Sequence, residues 1–287
     1  MEHVVWSSRP RLRSPVLIAA FTGWNDAGDA ASLAVKYLGD GWDADPVASI
    51  DPEEFFEFQA TRPQVRLVDG ESREIDWPAN DFHAAVVDGP NDIVLLLGTE
   101  PQLKWRRFCA EVLEVARALD VSQVITLGAL LADVAHNRPV SLIGTASDGA
   151  LIESYGLERS RYEGPTGITG VLSHTCAREG IPAMSLWAAV PHYVGGAPSP
   201  KAALALVRRA SEVVGAPVRT AALEIAATAY EREIDQLVED DEDLQGYVAR
   251  IEELRAEEEA EDHAEGVSGE RLVAEVEQFL RERRREG

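Results

Sequence analysis

The sequence predicts an α/β fold, in which a mostly parallel β-sheet is flanked by helices and followed by extra C-terminal helices. Several continuous apolar runs are bounded by turn-forming residues, a pattern typical of strands that are buried on both faces of a parallel sheet. These runs alternate with amphipathic segments of helical period, as in βαβ units. Hydrophobic residues make up 45% of the 287 residues, which is enough to form a sizeable core.

Two strand–helix pairs lie in the first half of the chain. Residues 16–21 (VLIAAF) predict a buried strand, and residues 30–38 predict a helix after a short polar loop. Residues 47–51 predict a short strand. Residues 92–98 (DIVLLLG) predict the most apolar strand of the chain, followed by an amphipathic helix over residues 102–119. The order strand–helix–strand predicts right-handed crossovers between parallel strands.

The segment between these pairs has a different pattern. Residues 52–78 alternate apolar and polar side chains, and two short runs within them flank the turn dipeptide Asp69-Gly70. We therefore expect residues 65–69 and 73–77 to form an antiparallel hairpin outside the main sheet.

The middle of the chain predicts two more buried strands and a helix. The strands cover residues 124–131 (VITLGALL) and 183–190 (AMSLWAAV). The helix covers residues 199–214, where Ser199 is a candidate N-cap and Pro200 fits the first helical position.

The composition of the sequence changes at residue 219, after which glycine and proline become scarce. Residues 229–265 contain 16 acidic and 3 basic side chains. An amphipathic stripe with seven-residue spacing, which breaks near residues 240–243 or at Gly246, consists of Tyr230, Leu237, Leu244 and Ile251. A second stripe, in a last helix, consists of Leu272, Val276, Phe279 and Leu280. The sequence therefore predicts an α/β core over residues 1–218 and an acidic helical extension over residues 219–287.

Net charge restricts the partners of this protein. Lysine and arginine number 27 against 50 aspartates and glutamates, which gives a net charge of −23. Because such a chain repels phosphate groups, we expect neither nucleic acid nor an anionic membrane surface as a partner.

Cysteine usage and the N-terminus indicate a cytoplasmic protein. The two cysteines, Cys109 and Cys176, are far apart and form no disulfide framework. The first 17 residues contain charged side chains and lack the apolar stretch of a signal peptide. Because the sequence has no CxxC motif and no His/Cys cluster, it predicts no metal site, and no motif implies a cofactor.

Polar side chains follow the first predicted strand. Trp24, Asn25 and Asp26 lie at its carboxyl end, where ligands bind in open α/β sheets. These residues either line a crevice, or Asn25 or Asp26 caps the following helix.

Thr99 and Glu100 follow the strand of residues 92–98 in the same way. Glu100 has the chemistry to bind a polar ligand group or to act as a base. Alternatively, Thr99 or Glu100 caps the helix that begins near Pro101.

A glycine-rich loop, GPTGITG at residues 164–170, precedes a predicted helix. Its three glycines at spacing three allow an anion-binding nest in which Thr166, Gly167 and Thr169 contact the ligand. The alternative is a close packing turn. The loop lacks the Gly-Lys-Ser/Thr of a nucleotide-binding P-loop.

Two further candidates lie in loops. His192 follows the strand of residues 183–190, where it acts either as a general acid or base or as the partner in a structural hydrogen bond. Arg138 either binds a carboxylate or phosphate, or forms an ordinary ion pair. Catalytic residues stay unassigned, because sequence spacing alone assembles no nucleophile with its base.

Several motifs together resemble the proteasome assembly chaperone family of PAC2 type, in its actinobacterial branch. The resemblance covers roughly residues 3 to 255. It rests on FTGWNDAGDAA at 21–31, DPEEFF at 51–56, GTEP at 98–101 with Trp105, GALLAD at 128–133, Arg138-Pro139, GPTGITG at 164–170 and VPHY at 190–193.

This resemblance implies a three-layer α/β domain similar to the nucleoside-phosphorylase type of fold. It also implies a homo-oligomer, with a trimer as the first guess, that has no established catalytic activity. Because eukaryotic and archaeal relatives help to assemble the 20S proteasome, it implies proteasome subunits as partners.

Two functional hypotheses follow for this chain. The first is a non-catalytic, oligomeric, proteasome-assembly-chaperone-like protein that acts by protein–protein interaction. The alternative is a binder or enzyme for a nucleoside or phosphorylated ligand, with its pocket at the strand carboxyl ends. The acidic extension either contacts a partner or simply keeps the helices in solution.

Overall fold

The computed structural model describes residues 3–265, with side chains through residue 254. The strands are β1 (Val4–Trp6), β2 (Val16–Thr22), β3 (Asp45–Ile50), β4 (Gln64–Val68), β5 (Ser72–Asp76), β6 (Asn80–Ala85), β7 (Ile93–Thr99), β8 (Gln123–Ala132), β9 (Leu142–Ala146) and β10 (Ala183–Pro191). The α-helices are α1 (Ala30–Gly41), α2 (Trp105–Ala118), α3 (Gly149–Tyr155), α4 (Ile168–Arg178), α5 (Pro200–Val214), α6 (Ala221–Glu239) and α7 (Glu242–Glu265).

Eight strands form one mixed sheet in the order β1-β3-β6-β7-β2-β8-β10-β9. The four central strands, β7, β2, β8 and β10, pair in parallel, as their continuous apolar runs predict. The outer strands pair antiparallel to their neighbours. The predicted α/β fold class is therefore confirmed, but the sheet is mixed and not mostly parallel: three of its seven pairings are parallel, and they are confined to the centre.

Helices cover both faces of the sheet, which makes three layers. On one face, α1 and α5 bury apolar side chains such as Leu38 and Leu206. On the other face, α2 and α4 bury Phe108, Val112 and Leu172 against the sheet. Helices therefore cover both faces of the central strands over most of their length, which explains why these strands lack polar alternation.

Most predicted elements lie where the sequence places them. Ser199 caps α5 by accepting a hydrogen bond from the Ala202 amide, and Pro200 occupies the first turn. Helix α2 begins at Trp105, later than predicted, because Lys104 adopts a left-handed conformation with φ of 50°. The hairpin forms as predicted: β4 and β5 pair only with each other, outside the main sheet.

The acidic segment after residue 219 contains α6 and α7, and the helices break at residues 240–241, as predicted. Tyr230 and Ile251 of the seven-residue stripe are buried, whereas Leu237 is 56% exposed, so the stripe is not a continuous seam. Instead, α6 packs on α5. The second predicted stripe, at residues 272–280, lies outside the described residues.

Polar contacts join α6 and α7 to the loop after β8. The buried His136 has its Nδ1 2.7 Å from the Tyr193 hydroxyl and its Nε2 2.9 Å from Oδ1 of Asp235 on α6. On α7, the Tyr247 hydroxyl donates to Oδ1 of Asp133 at 2.6 Å. Within residues 3–265, no helix has the length and apolar character needed to cross a membrane.

Candidate functional site

A cavity of about 860 Å³ lies between α4 and strands β8, β9 and β10, and it reaches the loop after β2. The carboxyl end of β8 and the loop over residues 159–166 complete its wall. Its position beside the ends of the central parallel strands is where open α/β sheets bind ligands. Its volume suits a small organic molecule.

Asp26 and Asn25 form the part of the wall that follows β2. The loop runs beside β8, because the Ala129 amide donates to the Asn25 carbonyl oxygen at 2.8 Å. Oδ1 of Asp26 accepts hydrogen bonds from the Ala31 amide at 2.7 Å and the Ser32 amide at 3.1 Å, so it caps α1. Burial raises the pKa of Asp26, because its charged form is poorly solvated.

Glu100 joins three parts of the site. Its Oε1 accepts from the Asn25 side-chain amide and from the Ile168 backbone amide, each at 2.9 Å. A Cβ atom at Gly167 would overlap the Asn25 side chain, so this position requires glycine. Glu100 therefore caps α4 across the sheet, not the nearby α2 that the sequence suggested.

A model of the PAC2 family matches residues 20–238 of this chain. The chain belongs to the PAC2 family. The predicted resemblance is therefore confirmed at the level of the family.

Solved structures of PAC2 relatives agree with this membership. The proteasome-assembly chaperone homologue of Mycobacterium tuberculosis is 47% identical, with a TM-score of 0.75, over 81% of this chain and 99% of that chain. A PAC2 family protein from Streptomyces avermitilis is 44% identical, with a TM-score of 0.75, over 82% of this chain and 99% of that chain.

More distant similarity extends to archaea. PbaB of Pyrococcus furiosus, an archaeal proteasome activator, is 18% identical, with a TM-score of 0.67, over 83% of this chain and 99% of that chain. At this identity the likeness concerns the fold alone. A search of the curated proteins gave no match.

The structure brings together only some of the residues predicted for a site in this PAC2 protein. Trp24, Asn25, Asp26 and Thr166 line the cavity. Glu100 and Gly167 lie immediately behind the Asn25 side chain.

The two predicted threonines besides Thr166 do not line the cavity. Thr169 is fully buried, and its Oγ1 finds no hydrogen-bond partner among the described residues. The Thr99 hydroxyl lies 3.4 Å from that of Thr22.

Arg138 and His192 also lie apart from the cavity lining. Arg138 is exposed beside a separate pocket of about 20 Å³, where its carbonyl oxygen accepts a hydrogen bond from Nζ of Lys201. His192 is exposed in the short turn after β10. Arg138 lies in the loop after β8, which does not reach the cavity, whereas the loop after β10 places Gly195, Gly196 and Ala197 in the cavity wall but not His192.

Several cavity residues were missed by sequence reasoning. Ser185 and Trp187 lie on the face of β10 that lines the cavity, and the Trp187 ring packs over Gly128, where a Cβ would lie 2.6 Å from the ring. The polar Ser185, two positions before a tryptophan in an otherwise apolar strand, was an available signal. Tyr162 and Arg159 come from a loop whose sequence carries no periodic pattern.

The described residues contain no group of three or more His, Cys, Asp or Glu side chains arranged to hold a metal ion. Cys109 and Cys176 are free and buried. Burial raises the pKa of the Cys109 thiol to about 11 and that of Cys176 to about 12. Neither thiol is therefore a reactive nucleophile at neutral pH.

Proposed function

We propose that this protein is a non-catalytic, homo-oligomeric factor that acts through protein–protein contacts with proteasome subunits, in the manner of a proteasome-assembly chaperone. A trimer is the first expectation, and the cytoplasm is the expected compartment. The chain would consist of a core of residues 1–218 with an acidic extension of residues 219–287. Membership in the PAC2 family and the chaperone homologue from Mycobacterium tuberculosis support this proposal.

The observation that carries the proposal is the apolar face of the β4–β5 hairpin. Val65, Leu67 and Ile75 share one face and are 62%, 60% and 55% exposed. Trp77, just after β5, is 49% exposed. A contiguous group of large, exposed apolar side chains on a hairpin outside the main sheet is typical of a surface that another protein covers.

The opposite face of the hairpin is charged. Arg66 pairs with Glu74 and with Asp76, at 2.5 Å and 3.0 Å. Because exposed ion pairs contribute little to stability, this face is available as a matched control.

The test uses the full chain, tagged and recovered at low salt from its own host, with native mass spectrometry as the readout. We expect an oligomer and co-purifying proteasome subunits. Leu67→Gln on the apolar face should reduce the recovered partner, whereas Arg66→Gln should not. A monomer without proteasome subunits, or equal recovery with both variants, would contradict the proposal.

A second candidate function is the binding, with or without conversion, of a small molecule in the cavity. Its specific support is the size of the cavity and its position at the ends of the central strands. Thermal-shift measurements test it, because a ligand that binds the native state must raise its stability.

A further inference from the structure

Two helices begin beside the cavity, and the protein itself caps both of them with carboxylates. Asp26 accepts from two amides of α1, and Glu100 accepts from the first amide of α4. An anion that bound at either helix start would have to displace or approach a carboxylate. The positive helix ends, which elsewhere bind phosphate, are therefore already used here.

The cavity wall presents buried acceptors that lack donors. Asp26 and Asn25 line the cavity and are only 5% and 1% exposed. Oδ2 of Asp26 and Oδ1 of Asn25 accept no hydrogen bond from any described residue. Because a buried unpaired acceptor is costly, a ligand that donates a hydrogen bond to either oxygen would stabilise this wall.

The formal charges of the lining residues also favour a ligand that donates hydrogen bonds. Asp26 and Asp29 are acidic, and Arg159 is the only lysine or arginine among the described lining residues. Its Nη1 already donates to the Ser147 carbonyl oxygen at 3.0 Å. His174 also lines the cavity, so a phosphorylated ligand would meet one arginine and one histidine beside two carboxylates, whereas an amine would find a carboxylate directly.

Aromatic side chains form the other part of the wall. Trp24, Trp187 and Tyr162 line the cavity together with Leu131 and Ile143. Such walls favour a planar ring, which stacks on indole or phenol faces. A cationic group near these rings gains additional electrostatic attraction.

We propose that the cavity binds an uncharged or cationic small molecule that combines a planar ring with an amine, amide or hydroxyl donor, and that Asp26 receives this donor. The proposal rests on the second candidate function and specifies its ligand class. It departs from the phosphorylated ligands that the glycine-rich loop at residues 164–170 suggested.

The test uses two pairs of probes that share a ring and differ in charge. Tryptamine is compared with indole-3-propionate, and adenosine with adenosine 5′-monophosphate, by isothermal titration calorimetry on the full chain. We expect the cationic or uncharged member of each pair to bind about tenfold or more tightly than its anionic partner, as a single charge-assisted contact provides.

Two carboxylate variants locate the contact. Asp26→Asn keeps an Oδ1 acceptor for the α1 cap but removes the charge, and it should weaken tryptamine about tenfold or more. Asp29→Asn makes the same charge change in the same wall, at a left-handed φ of 50° that asparagine tolerates. It should weaken tryptamine by less than about threefold, since an exposed charge contributes little.

A third variant tests the site without changing the α1 cap, in case Asp26→Asn fails to fold. Trp24 is 47% exposed, so Trp24→Ala leaves the core intact and should weaken tryptamine and adenosine alike, by about three- to tenfold. Circular dichroism and thermal unfolding of each variant establish that it is folded.

Tighter binding of the anionic probes, or equal losses with Asp26→Asn and Asp29→Asn, would overturn the ligand class while leaving a ligand site. Absence of binding by all four probes at millimolar concentration would overturn the site and the second candidate function together. Recovery of proteasome subunits with Asp26→Asn, measured separately, reports on the protein-interaction function alone.

Discussion

Substitution of Glu100 by alanine should destabilise the fold strongly, because this carboxylate holds the site together. Oε1 accepts two hydrogen bonds, from the Asn25 side chain and from the Ile168 amide. A hydrogen bond to a charged group contributes about 1.5–3 kcal/mol, and Glu100 is partly exposed, so water replaces some of the loss. We expect Glu100→Ala to lower the free energy of unfolding by about 2–4 kcal/mol.

Urea unfolding followed by tryptophan fluorescence and circular dichroism measures this loss, with Tm lowered by about 4–10 °C. Glu100→Gln is the matched control: its amide oxygen still accepts both hydrogen bonds but without charge assistance, so it should lose only about 1 kcal/mol. If Glu100→Ala unfolds within about 0.5 kcal/mol of the unmodified protein, the structural role of Glu100 is refuted.

Three further predictions concern the rest of the fold. Burial alone would raise the pKa of Asp92, but hydrogen bonds and the ion pair with Arg13 hold it below its usual value. Its stabilisation is therefore present near neutral pH and lost as the pH falls through the folded-state pKa. Unfolding free energies from pH 7 to 3 should show a smaller acid-dependent loss for Asp92→Asn than for the unmodified protein. Tyr193→Phe removes a hydroxyl that accepts from the His136 amide at 2.8 Å, so urea unfolding should report a loss of about 1–3 kcal/mol; an unchanged midpoint would contradict this. The Cys176 thiol, whose pKa burial raises to about 12, should react with a disulfide reagent at pH 8 only after denaturation, and rapid native labelling would count against the structure.

Local sequence pattern was sufficient for the central elements. Strands β2, β7, β8 and β10 and helices α1 and α5 were predictable, because burial on both faces demands continuous apolar runs and a packed helix demands an apolar stripe. The hairpin was predictable from Asp69-Gly70, since its pairing is between neighbours in sequence. Strand β6 was missed, because its sequence, NDFHAA, carries no clear strand pattern.

The site depended on contacts that no local pattern encodes. Glu100 lies 75 residues after Asn25 and 68 residues before Ile168 along the chain. Both of these residues nevertheless donate hydrogen bonds to the same oxygen of the Glu100 carboxylate. From the sequence alone, Glu100 either binds a ligand or caps the helix that begins near Pro101. The cap was predicted for the wrong helix, because Glu100 caps α4. The sheet order, which places β7 beside β2, brings Glu100 to Asn25, and the packing of α4 on β2 and β8 brings Ile168 to both.

The sequence by itself determined the four central strands and their parallel pairing, the main helices, and that the loop after β2 lies at the carboxyl edge of these strands. These properties follow from the period and composition of short segments. The tertiary structure decided which residues share the cavity: Trp24, Asp26 and Trp187 line it, whereas Arg138 and His192 do not. Loop direction is set by packing across the sheet, and side chains that meet there are distant in sequence.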